Sequence, residues 1–336
     1  MSNPLTGSEF DIIERYFKPL TGGHAEALNL ADDAAVIAPQ KGRDTVVTTD
    51  AVVSGVHFLD SLSPGDIAHK VVGVNLSDLA AMGARPFGVF LAAQFAKDIS
   101  EDWIASFTQG IGEALAPSGA RLLGGDTVTT PGPMAFTITA LGTVREGGAI
   151  LRSGAEAGDI VFVSGTIGDA ALGLAVLGGR LTELAEDDNF FLARRYARPQ
   201  PRVRLGMALC EGRTATAGID VSDGLAADLR HICETSGVSM EIDASSVPLS
   251  EAARAALKHQ PDLLETVLSG GDDYELAFTA PPGRRKEVLE LAQEAGTPVT
   301  EIGRIVAQQT GKGPEVRVFA ENGMILDLGA GGYRHF

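Results

Sequence analysis

Residues 218–229 read GIDVSDGLAADL, with Asp220 and Asp223 three apart, Ser222 between them and an apolar, helix-like run behind. The same pattern recurs along the chain. Asp32 and Asp33 stand in NLADDAAV, Asp50 in VTTDAVVSGVHF, Asp78 in NLSDLAAMGA, Asp126 in LGGDTV, and Asp272 with Asp273 in SGGDDYEL. A single aspartate before a helix is ordinarily an N-cap, and that reading holds for each site taken alone. As a set, beside Gly, Ser or Thr at predicted strand ends and helix starts, the aspartates point to convergence. Carboxylates brought together repel one another and hold their protons unless cations neutralise them. Mg2+ suits such a set, because it takes hard oxygen ligands and works through a few carboxylates plus substrate phosphates. That chemistry is phosphoryl transfer, where catalysis is mainly positioning and charge neutralisation.

The common nucleotide motifs are absent. There is no GxxxxGK[ST] loop, no kinase HRD or DFG set and no Rossmann glycine fingerprint. Residues 164–173, SGTIGDAALG, put turn glycines before a helix. Such a turn either binds an anion or simply packs. His57 in GVHF reads either as a hydrogen-bonded strand-end histidine or as a contact to a substrate phosphate.

These residues need elements to hold them. The β-branched DTVVTTDAVV predicts a strand, as do FGVFLAAQF, the alternating AFTITALGTV, DIVFVSG, YELAFTA and EIGRIV. A helix is predicted over residues 8–17 with Ser8 as cap, and another from Asp66 toward a stop at Gly83. A third follows Ser100, with Trp103, Ile104, Phe107, Ile111 and Leu115 at helical spacing. Further helices follow the turn at 164–168 and the glycine at 224. The rhythm restarts after VREGGAILRSGAEAGDIV, so a boundary is expected within 147–158, giving domains 1–150 and 151–336.

A chain of 336 residues is long for one core and suits two domains. Its 44% hydrophobic and 21% charged residues are ordinary for a soluble protein. A net charge of −17 argues against a nucleic-acid partner. Cys210 and Cys233 lack metal or redox spacing and are expected as reduced, buried thiols. No secretory leader and no run of about 18 apolar residues is evident. The expectation is a cytoplasmic protein with no membrane partner.

The motifs ADDAAV, TTDAVVSGVHF, NLSDLAAMGARP, LLGGDT, SGTIGDAALGL, RPQPRV, DVSDGLAADLRH, SGGDDYELAFT and the closing GGYRHF occur in the order found in one family. Nearly end to end, the chain resembles the thiamine-monophosphate kinases of the aminoimidazole ribonucleotide synthetase-like superfamily. The resemblance implies a two-domain α+β fold with a dimerising N-terminal sheet domain and a C-terminal α/β domain. It implies transfer of the γ-phosphoryl group of ATP to thiamine monophosphate in a homodimer, with several Mg2+ ions. By motif, it implies metal ligands at Asp33, Thr48, Thr49, Asp50, Asp78, Asp126, Asp220 and Asp223. It implies nucleotide contacts at Gly125, Asp126, Arg152 and Ser222. It implies thiamine-phosphate contacts at His57, Asp272, Asp273 and Tyr333, the last stacking on a cationic thiazolium. The chain departs from the family pattern twice. Ala31 stands where the family has Gly, and Asp272 where it has Glu. The related selenophosphate synthetases and hydrogenase-maturation proteins need an N-terminal or C-terminal cysteine, which this chain lacks.

Overall fold

The computed structural model describes residues 9–308, 311, 313–326 and 328. It forms two compact units: residues 1–79 with 85–147, and residues 80–84 with 148–336. Among the described residues, no helix is long and apolar enough to cross a membrane.

The first unit holds β1 (Arg43–Val53), β2 (Arg85–Ala96), β3 (Arg121–Thr130) and β4 (Ala135–Arg145), in the order β1-β4-β2-β3. β4 runs antiparallel to both β1 and β2, and β2 runs parallel to β3. Alternation sends Phe136, Ile138 and Ala140 of β4 inward. Helices α2 (Pro64–Ala81) and α3 (Glu101–Leu115) follow, after a short α1 (Glu9–Ile12). Ser100 caps α3 as predicted, accepting from the Trp103 N–H at 3.2 Å, and Ile104, Phe107, Ile111 and Leu115 are buried. Phe107 stacks on Phe136 with ring centroids 4.6 Å apart, and Phe95 meets both edge-on. That aromatic contact fixes α3 against the sheet.

One expectation changes here, and one segment without an expected element is assigned. The predicted helix over 8–17 is α-helical only through Ile12. A π-helical turn (Ile13–Phe17) and a 3-10 turn (Lys18–Thr21) follow, and Ser8 lies outside the described residues. The GGDT segment forms the middle of β3 despite its glycines. Here glycine is required, because a Cβ on Gly125 would lie 2.0 Å from the Leu91 carbonyl oxygen on β2.

The second unit has a six-stranded sheet in the order β10-β7-β9-β5-β8-β6. Its strands are β5 (Ile160–Ser164), β6 (Ala217–Asp220), β7 (Ser239–Asp243), β8 (Leu276–Ala280), β9 (Val299–Val306) and β10 (Val316–Phe319). Only β10 and β7 pair in parallel. The helices are α4 (Asp169–Leu177), α5 (Glu186–Ala197), α6 (Val203–Gly212), α7 (Leu225–Ser236), α8 (Glu251–His259), α9 (Leu263–Ser269) and α10 (Arg285–Ala295). α7 buries Leu225, Leu229 and Ile232 in one core with Val161, Val163 and Ile219 of the sheet. Cys210 and Cys233 are both buried and unbridged, as expected. The apolar surroundings of Cys233 push its thiol up to about 12, which leaves it inert.

Candidate active site

In the first unit, β1 carries the TTDA motif along its length. Alternation puts Thr48 and Asp50 on the helix-covered face and Thr49 on the other. The Thr48 hydroxyl donates to Asp78 Oδ2 of α2 at 2.5 Å, and the Asp50 N–H donates to Asn75 Oδ1 at 3.1 Å. Asn75 is buried and anchored in turn by its Nδ2, which donates to the Val71 carbonyl. Thr49 instead donates to the Ile138 carbonyl at 3.1 Å, so its side chain points away from Thr48 and Asp50.

A second acidic group lies where the N-terminal turns meet β2 and β3. Asp32, Asp33, Gly125 and Asp126 line a cavity of about 400 Å³ whose walls include Phe10, Phe17 and Leu30. Asp33 and Asp126 are exposed. Ala31 sits at φ −106°, an ordinary right-handed conformation, so the missing glycine leaves no strain there. His57 closes a tight turn: its Nδ1 accepts from the Val53 N–H at 3.1 Å, and its own N–H donates to the Val53 carbonyl. A neutral ring with Nδ1 accepting carries its proton on Nε2.

In the second unit, two of the acidic motifs lie side by side. The Asp272 N–H donates to the Ser222 carbonyl and the Tyr274 N–H to the Val221 carbonyl, both at 2.8 Å. The approach is close enough that a Cβ on Gly271 would lie 2.2 Å from the Ser222 carbonyl oxygen. Asp220 is buried at the end of β6, while Ser222, Asp223 and Asp272 are half-buried. Asp272 adopts φ +73°. Aspartate tolerates that left-handed conformation better than most residues do.

Neither Asp220 nor Asp223 caps α7. Its start, at Gly224, is held by Asp228, whose Oδ2 accepts from the N–H groups of Ser222 (2.9 Å), Asp223 (3.0 Å) and Gly224 (3.2 Å). Burial pushes Asp228 up to about 7; the three N–H groups pull against this and the Asp223 charge adds to it. The glycine turn before α4 is filled in the same way. Asp273 is 1% exposed, and its oxygens accept from Gly168 N–H (2.6 Å) and Ala170 N–H (3.2 Å). Burial raises it to about 8. Of the two readings open for residues 164–173, packing prevails, because the Gly168 and Ala170 N–H groups are already taken by the protein's own carboxyl oxygens.

Beneath these loops lies a buried ionic cluster. Glu275, fully buried, accepts from Arg195 Nη2 at 2.9 Å, from Arg202 Nε at 2.7 Å and from the Ser164 hydroxyl at 2.5 Å. Asp169, also fully buried, accepts from the hydroxyls of Thr166 and Ser250, and its Oδ2 lies 3.7 Å from Arg195 Nε. Sequence reasoning passed over Asp228, Asp169, Glu275, Arg195 and Arg202. A signal was present: Glu275 interrupts the apolar strand run YELAFTA, and a charge at a core position requires a partner.

The structure thus groups Thr48, Asp50 and Asp78, places Asp33 beside Gly125 and Asp126, and sets Asp220, Ser222 and Asp223 against Asp272. Asp273 is turned inward as a helix cap. Arg152 is exposed in a loop, its carbonyl accepting from the Ser236 hydroxyl at 3.2 Å. Tyr333 lies outside the described residues. Among the described residues, no three His, Cys, Asp or Glu side chains stand close enough to hold an ion by themselves. The donors are all carboxylate or hydroxyl oxygens, taken one or two at a time. That donor set fits Mg2+, which keeps waters and shares substrate phosphates rather than filling an all-protein cage.

Residues 31–144 match the family model described as AIR synthase related protein, N-terminal domain, and residues 156–314 match the corresponding C-terminal domain. Thiamine-monophosphate kinase of Caulobacter vibrioides is 44% identical over 302 residues, covering 89% of this chain and 84% of that protein. The crystal structure of thiamine-monophosphate kinase from Stenotrophomonas maltophilia K279a superimposes with a TM-score of 0.82 at 41% identity, covering 94% of this chain and 98% of that one. AaThiL complexed with AMPPCP and TMP superimposes at 0.76 with 30% identity, covering 91% of each. With its two-domain α+β fold, the chain is a kinase and belongs to the thiamine-monophosphate kinase family.

Proposed function

We propose that this protein transfers the γ-phosphoryl group of ATP directly to thiamine monophosphate, giving ADP and thiamine diphosphate. The observation that carries this reading is the near full-length similarity to AaThiL, which was solved with both a nucleotide analogue and TMP. In the transfer, an oxygen of the acceptor phosphate bonds to the γ-phosphorus as the bond from that phosphorus to the β–γ bridging oxygen breaks. Mg2+ held by pairs of these carboxylates would neutralise the charge spread over the phosphates. In this reading, Asp33, Asp50, Asp78, Asp126, Asp220 and Asp223, with Thr48, serve as metal-site residues, whereas the Thr49 side chain, also expected there, faces the other side of the sheet. Gly125, Arg152 and Ser222 contact the nucleotide. His57 and Asp272 face thiamine monophosphate, with Tyr333 beside its ring, and Asp273 supports that contact from below.

The work of the chain is alignment and charge placement. No phosphoenzyme is needed, and His57 already uses Nδ1 within its own turn. The protein works as a homodimer in the cytoplasm. In support, the sheet face opposite α2 and α3 in the first unit exposes Val47, Thr49 and Ala51, an uncharged surface suited to a second copy. Sedimentation should give about twice the chain mass of 34.9 kDa.

A coupled ADP-release assay tests the reaction. ADP should form when thiamine monophosphate is added to ATP and Mg2+, and not before. Incubation with γ-labelled ATP alone should leave the denatured protein unlabelled. Label on any residue that chases into product would overturn direct transfer, and no turnover with thiamine monophosphate would overturn the substrate.

A further inference from the structure

A helix start with free N–H groups beside phosphate-handling residues is a ready anion site. In this protein that place is already filled from within. Three successive N–H groups, those of Ser222, Asp223 and Gly224, converge on the one oxygen Oδ2 of Asp228, which is 2% exposed. Asp228 lies on the first turn of the helix it caps, so its carboxylate folds back beneath the loop that carries Asp220, Ser222 and Asp223.

The other side of that loop is held by main chain. The Ser222 and Val221 carbonyls accept from Asp272 and Tyr274. Gly224, at φ +125°, would bring a Cβ to 2.4 Å from the Ser269 carbonyl oxygen, so the loop cannot slide toward α9 either. With its N–H groups held by Asp228 and two of its carbonyls by the neighbouring segment, the backbone of this loop is fixed from both sides.

We propose that Asp228 is a positioning residue for the phosphoryl-transfer site: it occupies the N–H cradle at residues 222–224 and so makes this loop act through the side chains of Asp220, Ser222 and Asp223 instead of through its backbone. This rests on the reading of Asp220 and Asp223 as metal-site residues. Asp228 acts from beneath the loop, through that loop's three N–H groups. It sets the angle at which those two carboxylates are offered.

Three measurements test this. In the wild-type protein, hydrogen exchange should show the amides of 222–224 protected at least 10-fold beyond those of exposed turns such as 146–148. Unprotected amides would overturn the proposal with no variant needed. In Asp228→Asn, which keeps the shape but weakens the acceptor, the three amides should exchange at least 10-fold faster. The Mg2+ concentration for half-maximal rate should rise about 10-fold, while KM for thiamine monophosphate changes less than 2-fold. Asp228→Glu, which restores the charge, should recover part of the Mg2+ dependence. A purely structural role would lower the amount of active enzyme and leave its Mg2+ dependence unchanged, and that result in both variants would overturn the proposal. If the wild-type protein releases no ADP with thiamine monophosphate, the proposed function fails instead, and the exchange measurement still decides whether Asp228 fills the cradle.

Discussion

The two units treat their acidic residues in opposite ways. In the first, Asp33 and Asp126 are exposed, and Asp50 and Asp78 are half-buried beside a hydroxyl and an amide. Asp33 and Asp126 border an open cavity of about 400 Å³. In the second, Asp169, Asp228, Asp273 and Glu275 are nearly or fully buried, and each is satisfied by N–H groups, hydroxyls or guanidinium groups. An aspartate in a motif is therefore not by itself a ligand. In the first unit Asp33 and Asp126 face a cavity, and in the second the buried Asp228 and Asp273 hold backbone N–H groups of the loops around them.

The sharpest way to break this comparison is to remove one acid from the buried cluster. Glu275→Ala leaves the buried Arg195 and the half-buried Arg202 without their shared carboxylate. Deleting one partner of a buried ion pair costs about 3–5 kcal/mol, because the remaining charge is uncompensated. Chemical denaturation should show a loss of that size. A loss below about 1 kcal/mol would mean that the cluster relaxes or admits water, and the contrast between the units would fail.

The mirror experiment lies in the first unit. Asp126→Asn should lower turnover by about 10²-fold, the usual effect of losing one electrostatic stabiliser at a transition state. Its stability should stay within about 0.5 kcal/mol of wild type, as for an exposed side chain outside the core. Its own Oδ1 accepts only the neighbouring Thr127 N–H, at 2.9 Å, and an asparagine carbonyl can do the same. Near-wild-type turnover at limiting Mg2+ would remove Asp126 from the metal-site residues. A large stability loss would place it with the structural acids of the second unit.

Periodicity and capping chemistry made much of the fold legible. α3 was readable because its cap and its apolar stripe agree. β1 and β4 were readable from β-branched content and alternation. β3 was not, because two glycines and an aspartate lower strand propensity, and the reason for glycine there is the Leu91 carbonyl of a neighbouring strand. The acidic motifs announced a site, yet the division of labour inside DVSDGLAADL and GGDDYEL was hidden. Asp228 reads as a polar residue on a helix surface until the chain folds it back onto the preceding loop. Asp273 beside Asp272 reads as half of a pair, and only the backbone of the segment before β8, left-handed at Asp272, turns one inward and leaves the other half-exposed.

A smaller effect sharpens the comparison with the same residue type in the same local role. Ser100 and Ser250 are both N-caps, accepting from Trp103 N–H at 3.2 Å and from Ala253 N–H at 2.9 Å. Ser250 also donates its hydroxyl to Asp169 Oδ1 at 2.5 Å. Ser100→Ala should cost about 1 kcal/mol, the ordinary value for a lost cap. Ser250→Ala loses the cap and also a donor to a fully buried carboxylate, which adds about 1–3 kcal/mol. The difference between the two variants, measured by denaturation under one set of conditions, therefore reports how tightly the second unit's ionic cluster is satisfied. A double-mutant cycle with Asp169→Asn isolates the hydroxyl–carboxylate term, which should account for most of that difference. Equal losses in the two serine variants would mean that Asp169 draws nothing from Ser250, and that the cluster is held by Thr166 and Arg195 alone.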